Sequence, residues 1–86
     1  METMKTLKNF RTLDIYTRLC EGKVIRKEEE ALRFRVDKRT IQRDIDDIRA
    51  FLAEQIVNGS ANKRIEYSHK EKGFIMVDMS KKEKYR

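Results

Sequence analysis

The sequence has no proline, a single cysteine and three glycines in 86 residues, and it has no long apolar run. One cysteine, Cys20, excludes an internal disulfide and a cysteine-built metal site, and it fits a reducing compartment. No stretch approaches the ~20 apolar residues of a membrane span. Residues 1–14 carry Lys5, Lys8 and Arg11 but no apolar run suited to a signal peptide. A cytoplasmic location with no membrane partner is therefore expected. Without proline, punctuation falls to Gly22, Gly59 and Gly73, each at the end of a periodic segment. Active-site patterns are missing too: no glycine-rich phosphate loop, no nucleophile–base pair and no carboxylate pair in a cleft-forming context. His69 stands alone, with no acid or cysteine cluster spaced to make it a ligand or a base. We expect no enzyme, no metal and no cofactor.

Charge is what the chain has in quantity. Twenty-one Lys and Arg against 15 Asp and Glu give a formal net charge of +6, which points to a polyanionic partner without naming it. Only 38% of residues are hydrophobic, low for a folded domain. Their helical spacing nevertheless argues for folding as one small domain, which buries about 60–65% of its unfolded surface.

Four segments follow from periodicity. A first helix is expected over residues 5–20, with Thr12, Ile15, Tyr16 and Leu19 as one apolar stripe. Phe10, Leu13 and Cys20 lie on a second face, so cover from two sides is expected, and Gly22 reads as the stop. A short helix over residues 26–34 carries Glu28, Glu29 and Glu30 at its positive N-terminus, with Ala31 and Leu32 as its expected buried residues. Phe34 and Val36 close the turn, and Asp37 reads as the N-cap of a third helix running to about Gln55. Its Ile41, Ile45, Ile48 and Leu52 recur at intervals of four, three and four. Beyond Gly59 the period shortens to two. Ile65 and Tyr67 alternate with polar residues, Phe74 to Val77 form a β-rich run, and residues 69–73 link them as a hairpin. The expected class is mainly α with a small β-hairpin: domain 1–79, then a charged tail or linker at 80–86.

The third helix carries the functional signal. With its isoleucines inward, a 100° count turns Arg39 and Arg43 almost opposite, flanked by Thr40 and Gln42. These are donor-rich groups that suit base edges and phosphates. Charge is polarised along the chain here. Residues 23–43 hold eight bases and four acids, whereas residues 44–54 hold four acids and one base. Phosphates would repel the acidic half, so only the N-terminal half suits a duplex. Asp44 and Asp46 are expected to orient neighbouring arginines by ion pairing, worth about 0.5 kcal/mol where exposed.

The run Val36-Asp37-Lys38-Arg39-Thr40-Ile41-Gln42-Arg43-Asp44-Ile45-Asp46-Asp47-Ile48 resembles the V-S-x-R-T-I-x-R-D-I-x-x-L recognition segment of DeoR-like bacterial transcription regulators. It is most similar to the branch that carries a WYL ligand-sensing domain. Lys72-Gly73-Phe74-Ile75-Met76 resembles that family's G-G-Y-x-L wing strand. The resemblance covers most of residues 10–77. It implies a winged helix-turn-helix of three helices plus a two-stranded wing, with the third helix in the major groove. It further implies regulation of transcription and DNA contacts by Lys38, Arg39, Thr40, Gln42 and Arg43. Lys70 and Lys72 at the hairpin tip read either as grips on the DNA backbone or as lysines that keep a turn soluble, and Lys63 and Arg64 read similarly. The sequence departs from the pattern in four ways. Asp37 stands for serine, Arg35 where the turn often has glycine, Glu30 where a core leucine is common, and residues 56–63 form a longer connection. There is no room for a sensing domain, so a piece of a longer regulator or a stand-alone reader is expected.

The expected partner is double-stranded DNA, with a homodimer as an open option. The competing reading is a protein-interaction module, marked by an exposed apolar patch at Met4, Phe10 and Leu13. RNA and membrane surfaces rank lower, because neither stacked hairpin aromatics nor a basic face opposite an aromatic-rich one is present.

Overall fold

Helix α3 (Lys38–Val57) is the spine of the molecule, and its isoleucine ridge decides where everything else packs. The computed structural model describes residues 4–59 and 62–79, with side chains from residue 8 onward. Around α3 are arranged α1 (Met4–Cys20), α2 (Lys27–Phe34) and an antiparallel hairpin of β1 (Lys63–Ser68) and β2 (Gly73–Asp78). Three helices and a hairpin in this order are the arrangement of a winged helix. Ile41, Ile45, Ile48 and Leu52 of α3 meet Ile15 and Leu19 of α1, Ile25, and Ile65 and Phe74 of the hairpin in one buried cluster.

Local chemistry explains the boundaries. Gly22 ends α1 at φ 87°, and the 3.0 Å bond from Lys23 N to Arg18 O wraps the helix end in a Schellman turn. Arg35 ends α2 in the left-handed region at φ 58°, a conformation that costs a side-chain-bearing residue about 1–2 kcal/mol. The Asp37 carboxylate accepts from the Thr40 backbone N–H at 2.9 Å, capping α3 as expected. That helix takes in residues 56–57 of the expected long connection, of which residues 60–61 lie outside the described residues.

In the hairpin, Ile65 pairs with Met76 and Tyr67 with Phe74 on the face turned to α3. The wing is two-stranded as expected, and Ile25 adds an isolated bridge to Phe74 through bonds of 2.9 and 2.7 Å. Gly73 is required at this crossing. A Cβ there would lie 2.6 Å from Val24 Cγ1 and 2.9 Å from Ile25 O.

Several expected core positions are corrected. Phe10 and Leu13 are 67% and 61% exposed, and Cys20 is exposed as well. Among the described residues, elements pack on one side of α1 only, so its second face is exposed. Leu32 is 82% exposed, because α2 turns Glu30, Ala31 and Phe34 inward instead. Glu30 is tolerated there because Arg18 donates to both its carboxylate oxygens at 2.7 Å. Asp44 is likewise fully buried. Its partner is Arg11 on α1, not a neighbouring arginine; Arg11 Nε and Nη2 both donate to its carboxylate, the latter at 3.1 Å. The side chain of Met4 and the tail at residues 80–86 lie outside the described residues.

Candidate nucleic-acid interface

Rotation of α3 decides which of its side chains are available. Two constraints fix that rotation: the isoleucine ridge, and Asp44, which lies beside the ridge and is tied to α1 through Arg11. Arg39 and Arg43 are then exposed on the opposite side, and among the described residues neither guanidinium makes an ion pair or a hydrogen bond. Both act electrostatically on Asp37, whose carboxyl sits below the usual carboxylate range. Donation from the Thr40 hydroxyl is the main cause, followed by its backbone N–H, with the charges of Arg39 and Arg43 adding to it. The cap thus stays ionised and partly offsets the positive charge beside it.

The other residues expected on this helix are differently occupied. Lys38 is exposed, with its ammonium 3.8 Å from Glu28. The Thr40 hydroxyl donates to Asp37 at 2.8 Å and so belongs to the cap. Gln42 is half-buried with both ends of its amide in use. Its oxygen accepts from Lys27 Nζ at 3.1 Å, and its nitrogen donates to Asp46 at 3.0 Å. Each end of the Gln42 amide keeps a further donor or acceptor position but is tethered, whereas among the described residues Arg39 and Arg43 hold no such bond.

Lys70 and Lys72 are exposed at the hairpin tip, and Lys72 takes the left-handed conformation at φ 59°. The turn closes through the Lys72 N–H donating to Ser68 O at 2.7 Å and the Glu71 N–H donating to Ser68 Oγ at 3.1 Å. Arg26 Nε donates to Glu71 O at 3.0 Å, and its guanidinium lies 3.8 Å from the Glu71 carboxylate. The consecutive residues Arg26 and Lys27 therefore join the two parts of the surface, one holding the hairpin tip and the other holding Gln42 of α3. Of the remaining candidates, Lys63 is half-buried, and Arg64 is engaged by Glu66 at 2.8 Å.

Sequence reasoning missed Arg26, Lys27 and Arg11. Arg11 had a readable signal, since it shares the inward face of α1 with Ile15 one helical turn on. Arg26 had none, because its partner lies 45 residues away. No family model matches the chain, and no curated protein or solved structure matches it.

Proposed function

We propose that this chain reads double-stranded DNA in a sequence-specific manner as the DNA-binding domain of a bacterial transcription regulator. In this reading the N-terminal half of α3 enters the major groove and the hairpin lies along the sugar-phosphate backbone. It acts in the cytoplasm and catalyses no reaction. The observation that carries the reading is the pair of exposed guanidinium groups, Arg39 and Arg43, without a partner among the described residues, on a helix whose opposite side is sealed in the core. Arginine presents a planar fork that matches guanine O6 and N7 and also grips phosphate. The resemblance of residues 36–48 to DeoR-like recognition segments supports the same assignment. Lys38, Thr40 and Gln42 support the arginines from the flanks, and Lys70 and Lys72 supply backbone contacts.

Titration of labelled duplexes at several salt concentrations tests this. Neutralising about five phosphates per copy gives log K a slope of about −4 to −5 against log salt, together with a clear preference among sequences. Affinity that ignores salt, or that ignores sequence completely, would end the proposal. The exposed Phe10 and Leu13 favour a second activity, docking of a protein, which is compatible with the first because these residues lie on α1 rather than on the arginine-bearing half of α3.

A further inference from the structure

We propose that Gln42 reads an adenine of the bound duplex, held for that contact by Lys27 and Asp46 as positioning residues; this rests on the DNA reading proposed above. The tether crosses between elements. Lys27 Nζ, at the start of α2, donates to Gln42 Oε1 at 3.1 Å, and Gln42 Nε2 donates to Asp46 Oδ1 at 3.0 Å. Asp46 is met in turn by Arg49 at 3.7 Å, and Arg49 lies 5.4 Å over the Phe74 ring of the hairpin. One chain of contacts thus runs from α2 through the Gln42 amide to the wing. Its first link is not the one that neighbours in sequence would make. Lys27 is followed by Glu28, Glu29 and Glu30, yet among the described residues its ammonium pairs with none of them and bonds a neutral amide on α3 instead.

These partners fix the amide end for end. An ammonium can only donate and a carboxylate can only accept, so turning the amide by half a turn would lose both bonds. Lys27 and Asp46 form no ion pair with each other among the described residues, so their two bonds diverge rather than run side by side. One lone pair on Oε1 and one N–H on Nε2 remain. Donation into the oxygen makes that N–H more acidic, and the carboxylate on the nitrogen makes the oxygen a better acceptor. Each tether therefore strengthens the group left over at the other end. A base that answers them must offer one acceptor and one donor side by side. In the major groove adenine does so with N7 and N6–H, whereas guanine presents two acceptors. Because the amide cannot turn, its order of donor and acceptor suits adenine on one strand only, and A·T is distinguished from T·A.

Gln42 is also placed to reach the duplex together with the arginines. It follows Arg39 by three residues, so the two are neighbours on the helix surface, about 60° apart and ~4.5 Å along the axis. That offset is close to the ~3.4 Å rise between base pairs. Arg39 and Arg43 are untethered among the described residues and can shift between phosphate and base. Gln42 instead arrives with its orientation set, which lowers the ordering cost of its contact.

The test is binding of the full chain to a duplex it selects from a randomised pool, and to duplexes in which each A·T pair is replaced in turn by T·A or G·C. At one position the wild type should prefer A·T by about 5- to 150-fold, and Gln42→Ala should lose that preference while keeping the others. Lys27→Met and Asp46→Ala should lose most of the A·T over T·A ratio at that same position and at no other. Adding Lys27→Met to Gln42→Ala should change no preference further, because the two residues act through one contact. None of the three belongs to the buried apolar cluster, so circular dichroism of each variant should match the wild type. A Lys27 that merely grips phosphate would weaken binding to all duplexes alike and flatten the salt slope by about one. That result, or a Gln42→Ala protein with every preference intact, would overturn the proposal while the DNA reading stands. A wild type that selects no sequence would remove both. In the protein without DNA, the side-chain amide resonances of Gln42 should shift in Lys27→Met and in Asp46→Ala, and resonances unmoved in both would overturn the tether.

Discussion

Replacing Arg11 by alanine tests how α3 is held in rotation. Among the described residues two ion pairs join α1 to α3, and they differ mainly in burial. In the Arg11–Asp44 pair the side chains are 11% and 1% exposed, while in Lys8–Asp47 they are 50% and 56% exposed. Alanine at position 11 strands a carboxylate in the core with no other cation within reach among the described residues, and breaking a buried pair in this way costs about 3–5 kcal/mol. Alanine at position 8 removes a solvated contact, for about 0–1 kcal/mol. A domain of this size has roughly 4–13 kcal/mol in total, so the first change removes much of its stability and the second very little. Urea denaturation followed by far-ultraviolet circular dichroism separates them. With an m-value of about 1–1.5 kcal/mol per molar, Arg11→Ala should lower the midpoint by roughly 2–5 M, and Lys8→Ala by under about 1 M. Replacing both buried partners, as Arg11→Met with Asp44→Leu, should restore most of the loss, because no charge is then left unpaired. Equal shifts for the two alanine variants, or a double replacement as unstable as Arg11→Ala, would refute the view that this pair clamps the helix.

Three further expectations concern the termini of the helices and the wing. Asp37→Asn keeps a capping side chain but removes the ionised one; since the Asp37 carboxyl is held below its ordinary value of 3.8, its contribution is present above that value and fades as pH falls through the folded one. The stability difference between the wild type and Asp37→Asn should therefore be constant near neutrality and close in acid below about pH 4, and a difference unchanged down to about pH 2 would contradict it. Arg35→Gly relieves the left-handed strain at the end of α2 and should raise stability by up to about 1 kcal/mol, whereas Arg35→Ala, with the same strain, should not; equal denaturation midpoints for the two variants would argue against strain at this site. Arg26→Ala frees the hairpin tip, so hydrogen exchange at Glu71 and Lys72 should accelerate while protection in the α3 core changes little; slowing or no change at the tip would show that Arg26 does not anchor it.

Much of this fold could be read from side-chain spacing because spacing controls burial where residues are apolar. The isoleucine ridge of α3, the Asp37 cap and the Gly22 stop are local features, and each lies where its neighbours in sequence dictate. What escaped reading depends on partners distant in sequence. Glu30 and Asp44 look like surface residues by type, and only Arg18 and Arg11 on another helix make their burial tolerable. Phe10 and Leu13 look like core by type, but whether a helix face is covered depends on how many elements surround it. Tyr67 follows the inward alternation yet is 45% exposed, since it lies at the tip end of the hairpin, edge-on to Phe74 and His69. In the candidate site, the outward rotation of Arg39 and Arg43 followed from counting residues. The tethering of Gln42 by Lys27 and of the wing by Arg26 did not, because both contacts join different elements.

The most direct measurement compares duplex binding by the wild type with that by Arg39→Ala combined with Arg43→Ala. Both side chains face water without partners among the described residues, so the doubly substituted protein should retain its circular dichroism spectrum and denaturation midpoint within about 0.5 kcal/mol. Its discrimination between a selected sequence and a random one should vanish, and its salt slope should become shallower by about one to two. Undiminished discrimination by a folded double variant would contradict the account at its centre.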